Sequence, residues 1–347
     1  MASEAEPPIS TTIPSDPTPS APTPSSEPSK LPRTPANRPL LRRLRVYLLR
    51  YLTHLARRTD YNLLRLSKLL SSPTSTDALL CTISYTLELV HAVLERLLER
   101  RLTDIATTIA EKAEYVLLPG ETLIATLPAL TSTKILAQTV GSSRALAAII
   151  GDFRIFVRLW GLVGIYAWAR ETWHSPLGKE AGRKEKLVRK VVWGQIVSCA
   201  LFQVLENGAY LANKGVLTTA SWSGEMGKAR ETKWWIWSSR FWAAHVVLEL
   251  ARLSILHCYR NASSGAKDEK EKEVLGDGEK EEKLLREENK KDDWLWWRDL
   301  VSNIAYMPMT LHWSVDEDRT FLPDWSVGLL GAVAGGSLLA DAWRATA

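Results

Sequence analysis

The sequence predicts an all-α, membrane-associated helical protein with amphipathic helices, one or two transmembrane helices and a disordered N-terminus. Three observations carry that prediction. Leucine and arginine recur in helical register from Leu40 to Leu70. The stretch from Trp325 to Trp343 is strongly apolar, with Asp341 its only charge. Fifteen tryptophans are present, several of them at the ends of apolar runs. Indole rings prefer the headgroup level of a bilayer, where the ring is apolar and the N–H stays wet. The net charge of +5 and an isoelectric point near 9.0 suit a negatively charged partner. A mean hydropathy of −0.11 is too low for a polytopic transporter.

Residues 1–38 are rich in Pro, Ser and Thr. Such a composition buries too little apolar area to offset chain entropy, so disorder is expected. No apolar leader region is visible there, and insertion through internal segments after synthesis is expected. Pro39 suits the first turn of the helix that follows. In that helix Leu41, Leu44, Leu48, Leu52 and Leu55 fall on one stripe at about 100° per residue. Arg42, Arg43, Arg50 and Arg57 fall on the other faces, and Asp60 is the only acid from Leu40 to Leu70. A helix of a soluble bundle mixes acids and bases on its wet face. This one is nearly all base, the pattern of a helix lying in a membrane interface. The nine residues just named are the candidate membrane-binding residues.

Ser71-Ser72-Pro73 breaks the chain. A helix is expected from about Asp77 to Arg101, capped by Ser75, Thr76 or Asp77. Pro119, Gly120 and Pro128 suggest short helices and loops as far as Leu136. Helical periodicity resumes from Ser142 to Glu171, with Arg154 and Arg158 four apart on one side. The apolar part of that helix, Leu159 to Ala169, is too short to span alone.

A basic loop, Lys179 to Lys190, precedes Val191 to Ala212, a stretch of about spanning length that holds Gln195, Gln203, Glu206 and Asn207 and reads either as a weak span packed on partners or as a deeply embedded amphipathic helix. The basic flank assigns that side to the cytosol. Polar residues at such depth usually face other helices, so Glu206, and Glu249 in the next helix (Trp234 to Tyr259), are expected either to be satisfied by a neighbouring helix or to lie at the polar rim. Residues 39–260 are thus one helical membrane-associated region, residues 261–293 a charged linker, and residues 294–347 a C-terminal helix plus a transmembrane segment. That last span is roughly 27 Å long, close to the hydrocarbon thickness. Gly331 and Gly335 form a GxxxG pair, with Gly328 and Ala332 nearby, and these four are the candidate helix–helix association residues.

No catalytic constellation is visible. The six histidines are dispersed and show no metal-ligand spacing. There is no dinucleotide or P-loop glycine pattern and no GxSxG elbow. Neither an enzyme, a cofactor nor a metal is expected. Cys81, Cys199 and Cys258 sit in separate apolar helical stretches, which predicts buried free thiols. Nucleic-acid binding is disfavoured, because the bases share a helix with a leucine stripe.

The order of these segments resembles the peroxin-11 family of peroxisomal membrane proteins, in its filamentous-fungal branch. Four stretches carry the resemblance: Thr59–Leu70; Asp152–Ala169; Ala200–Leu217 followed by Lys233–Leu253; and Trp296–Ser314 with the Gly-rich final span. The long N-terminal extension, the Asp77–Leu136 region and the charged linker depart from it. The resemblance implies localisation in the peroxisomal membrane and a role in elongating and dividing peroxisomes. It also implies self-association, recruitment of the fission machinery, and bilayer deformation by an N-terminal amphipathic helix. Two other readings stand beside it. One is a pore lined by Gln195, Gln203, Glu206 and Asn207; the other is a soluble helical scaffold.

Overall fold

The computed structural model describes residues 38–114, 131–270 and 279–346. Among these residues the regular structure is entirely helical, with eight α-helices. The chain divides into two units, 1–59 and 60–347.

The first unit contributes most of α1 (Arg38–Leu70). Pro39 lies in the first turn, where its missing N–H costs nothing. The five stripe leucines are 47–66% exposed. Arg42, Arg43, Arg50 and Arg57 are exposed as well.

The second unit begins in the last turns of α1, where Leu69 is buried. Arg65 donates to the carbonyl of Trp343 and, over 3.1 Å, to Thr346 Oγ1. Its guanidinium lies 4.4 Å from the Trp343 ring centroid. Lys68 Nζ reaches the Thr346 carbonyl at 3.4 Å. Two cations thus meet the carbonyl-rich end of the last helix, the favourable end for positive charge.

α2 (Pro73–Glu114) starts four residues before Asp77. Pro73 opens its first turn, and the Thr76 amide donates to Ser72 O over 2.9 Å. The helix then runs unbroken to Glu114, so residues 102–114 are not the short helices and loops expected there. Pro119, Gly120 and Pro128 lie outside the described residues. The helix expected from Ser142 to Glu171 is in fact two, α3 (Thr131–Arg158) and α4 (Gly161–His174). The break at Leu159–Trp160 is held from α5 (Arg183–Asn213), where Asn207 Nδ2 donates to Leu159 O over 3.1 Å. A loose helical carbonyl is thereby satisfied by a side chain, as a buried helix end requires.

α6 (Gly224–Lys270) and α7 (Glu279–His312) extend into the expected linker from both sides, and α8 (Asp324–Arg344) closes the chain. Successive packing runs α5 on α6, α6 on α7, α7 on α8, α8 on α2, α2 on α3, and back to α5 through a lighter α3 contact. Six helices therefore close a ring, with α4 lying against α5. Helices α2, α5, α6 and α8 are each long and apolar enough to cross a membrane. Two of them, α5 and α8, contain the spans visible in the sequence.

At the joint of α8 against α2 the backbones themselves come close. A Cβ on Gly328 would lie 2.6 Å from the Leu89 backbone nitrogen, and one on Gly335 would lie 2.9 Å from Thr82 Oγ1. At Gly331 a Cβ would enter the Tyr85 ring. Only glycine lets the two backbones approach this closely. Ala332 is half-buried and off this line, whereas Ala334, not singled out by the sequence, is fully buried. Ser302 of α7 donates to the Ala334 carbonyl over 3.4 Å.

Candidate functional site

Two places concentrate polar chemistry next to apolar surface. In the unit 1–59 it is the exposed face of α1. There the nine expected membrane-binding residues share one continuous helix, the leucines along one stripe and the arginines around it. Among the described residues none of its four candidate arginines has an ion-pair partner.

In the unit 60–347 it is a cavity of about 700 Å³ inside the helix ring. Helix α2 supplies Asp77, Ser84, Tyr85 and Glu88, and α3 supplies Gly151, Arg154, Ile155 and Arg158. Phe202 and Glu206 come from α5, while Trp235 and Trp242 come from α6. Tyr306 and His312 of α7, with Trp313, Glu317 and Thr320 beyond it, complete the wall.

The 3.6-residue repeat places Arg154 and Arg158 one turn apart on the same face of α3. Each meets a carboxylate on a different helix. Arg154 Nε donates to Asp77 Oδ1 over 2.8 Å. Arg158 grips Glu206 with both ends of its fork, Nε to Oε2 at 3.0 Å and Nη2 to Oε1 at 2.8 Å. Burial works against both charges, and the carboxylate partners outweigh it. Both guanidiniums are held above the ordinary arginine value and stay protonated. Breaking such a pair by removing one partner strands a charge and costs about 3–5 kcal/mol.

Glu206 also accepts a hydrogen bond from Gln203 Nε2 at 3.4 Å, and the same amide donates to Asn207 Oδ1 at 2.7 Å. Gln195 donates to Glu249, which is also bound by Arg252 one turn along. Both embedded carboxylates thus have partners from a neighbouring helix, although the strongest partner of Glu249 lies on its own helix. Of the four residues proposed for a lumen, Glu206 alone lines the cavity; Gln195 and Asn207 spend their amides on contacts outside α5, and Gln203 donates within α5.

The other half of the cavity is aromatic. Trp242 stacks on Trp313 at 5.7 Å with planes 13° apart, and approaches Tyr306 at 5.3 Å. Tyr306 Oη lies 3.2 Å from Cys81 Sγ. Cys81 is buried and Cys199 half-buried, but Cys258 is exposed, against expectation. Among the described residues no cluster of three metal-ligating side chains exists.

The sequence marked Arg154 and Arg158 as a pair but not their partners. Asp77 and Glu206 are 77 and 48 residues away from them. The one available signal was the presence of isolated acids in otherwise apolar helices. Glu88 and the aromatic wall were missed, because nothing local distinguishes them from an ordinary amphipathic face.

Residues 130–343 match the family described as Peroxisomal biogenesis factor 11 (PEX11). The chain belongs to this family. It is accordingly a peroxisomal membrane protein with a role in peroxisome biogenesis. The match takes in α3 to α8 and three of the four resembling stretches. Thr59–Leu70, the basic helix before it and all of α2 lie outside the match. An uncharacterized protein of Schizosaccharomyces pombe is 25% identical over 190 residues, which cover 55% of this chain and 71% of the relative. No solved structure matches.

Proposed function

We propose that this chain remodels the peroxisomal membrane, promoting elongation, division and proliferation of the organelle by inserting residues 38–59 into one leaflet. The observation that supports this reading most is the exposed leucine stripe on a helix that is otherwise basic. Burying a leucine side chain is worth about 1.5–3 kcal/mol. Each arginine near anionic headgroups adds about 1 kcal/mol. A helix wedged into one leaflet expands that leaflet and favours curvature. The helix ring, five of whose six helices lie in the PEX11 family region, would anchor the wedge and concentrate it. Self-association and recruitment of the fission machinery belong to the same proposal. Gly328, Gly331 and Gly335 already face α2 within the chain, so contacts between copies would use another surface.

The test is live imaging of a fluorescent fusion beside a peroxisomal matrix marker, at raised expression. The comparison is a variant with Arg42, Arg43, Arg50 and Arg57 changed to Glu. Elongated or more numerous organelles with the native chain, and ordinary ones with the variant still at the rim, are expected. Equal elongation by both would refute the wedge.

A pore is the second reading, and the cavity is the observation in its favour. Its test is Glu206→Lys, which should alter permeability without altering organelle shape. Unchanged permeability counts against it.

A further inference from the structure

The cavity of the helix ring has a chemical preference of its own. Four carboxylates line it, those of Asp77, Glu88, Glu206 and Glu317, against two guanidiniums. The guanidiniums are both occupied, one by Asp77 and one by Glu206. Glu88 is different. Its side chain lines the cavity and has no hydrogen-bond or ion-pair partner among the described residues. Next to it stand Tyr85, itself pinned under Gly331, and, farther round the wall, the stacked pair Trp242 and Trp313.

A carboxylate without a partner, in a space walled by aromatic rings, is the chemistry that recognises an organic ammonium ion. The rings supply their negative faces and the carboxylate supplies charge. The volume of about 700 Å³ is in the usual range of small-ligand pockets, about 300–1,000 Å³, and exceeds what a bare metal ion needs. Anionic metabolites are disfavoured, because each guanidinium already has its acid and the surplus charge is negative.

We propose that this cavity binds a primary or quaternary ammonium group, with Glu88 as its counter-ion and the Trp242–Trp313 side as its aromatic wall. A zwitterionic phospholipid headgroup and a free amine of the same type share this chemistry. For a lipid, the apolar outer surface of the spans would hold the acyl chains.

The experiment uses the full chain in a maltoside detergent, which carries no ammonium group. Tetramethylammonium chloride is titrated calorimetrically, with sodium chloride and sodium phosphate at equal ionic strength as references. Saturable binding of tetramethylammonium alone is expected. Glu88→Gln should weaken it about tenfold or more, the scale of a lost interaction with a charged group. Heats no different from sodium chloride, or displacement of tetramethylammonium by phosphate, overturn the proposal on the native chain. So does unchanged affinity in a Glu88→Gln protein of native helicity. Native mass spectrometry then separates the sources. A phosphatidylcholine or phosphatidylethanolamine retained after extraction and released by tetramethylammonium identifies the lipid. Equal tetramethylammonium affinity with and without phosphatidylcholine, and no retained lipid, identifies a free amine.

Discussion

Helix α1 and helix α3 look alike in the sequence and live in opposite surroundings. Both carry arginines spaced along a helix rich in large apolar residues. In α3 the arginines Arg154 and Arg158 point into a cavity and are gripped by Asp77 and Glu206. In α1 the arginines Arg42, Arg43, Arg50 and Arg57 are exposed, and so are the leucines between them. An arginine's environment is thus decided by whether the fold brings an acid to it. In α3 the acids arrive from α2 and α5; for residues 38–59, acids are absent from the helix itself. One set of arginines fastens helices together, and the other is left for a partner of negative charge.

The largest effect is expected at Arg158. Arg158→Ala leaves Glu206 buried without its counter-ion and should destabilise the ring by about 3–5 kcal/mol. Thermal unfolding in detergent measures this, and the double change Arg158→Met/Glu206→Met should recover most of the loss. A single variant as stable as the native chain would show that the pair does not hold α3 to α5. Asp77→Ala should cost less than this, because the Asp77 side chain is half exposed and water can reach Arg154 once the pair is broken.

The α8–α2 joint is the next test. Gly331→Leu drives a side chain into the Tyr85 ring and should cost about 1–3 kcal/mol through forced displacement. Ala332→Leu lies off the contact line and should cost less. The reverse order, read by the same thermal unfolding, would mean that another face of α8 packs on α2.

A smaller, pH-dependent effect is expected at His312. Its Nδ1 accepts amides from Leu322 at 3.0 Å and Phe321 at 3.3 Å, which fastens the segment between α7 and α8. Burial pushes its pKa below the ordinary imidazole value, and the nearby Asp324 opposes this only in part. A folded-state pKa below the unfolded one means the unfolded chain takes up the proton first. Stability is then full above the unfolded value of about 6.5 and declines as pH falls through it toward the folded value. Hydrogen exchange at Phe321 and Leu322 should quicken over that window relative to neighbouring amides, and His312→Gln should remove the pH dependence.

The helices were legible because apolar periodicity survives in any environment. The α1 stripe, the break at Ser71–Pro73 and the Trp325–Trp343 span all follow from local pattern, and α8 indeed runs Asp324–Arg344. What local pattern did not contain is pairing over distance. At the break between α3 and α4 the Leu159 carbonyl is taken by Asn207, far along the chain. The role of α2 was hidden for the same reason. Its residues look like an insertion when read along the chain, yet they complete the ring and provide Asp77 and Glu88 to its cavity. The GxxxG spacing announced a close helix contact but could not name the partner, which is α2 of the same chain.

The smallest effect on folding is expected in α1. Changing Arg42, Arg43, Arg50 and Arg57 to Glu removes no ion pair or side-chain hydrogen bond found among the described residues, so unfolding of the helix ring should shift by less than about 0.5 kcal/mol. Vesicle binding should respond very differently. A peptide of residues 38–59 should bind vesicles containing anionic lipid, and raising salt from low to physiological strength should weaken it as screening shortens the reach of the arginines. The Glu peptide should lose that salt-sensitive part and be repelled. Changing Leu44, Leu48 and Leu52 to Ser tests the other half, because those peptides keep the charge and lose the apolar area that holds the helix in the interface. If the Ser peptide bound as tightly as the native one, the arginines alone would hold the surface, and a helix resting on headgroups without insertion could not wedge the leaflet.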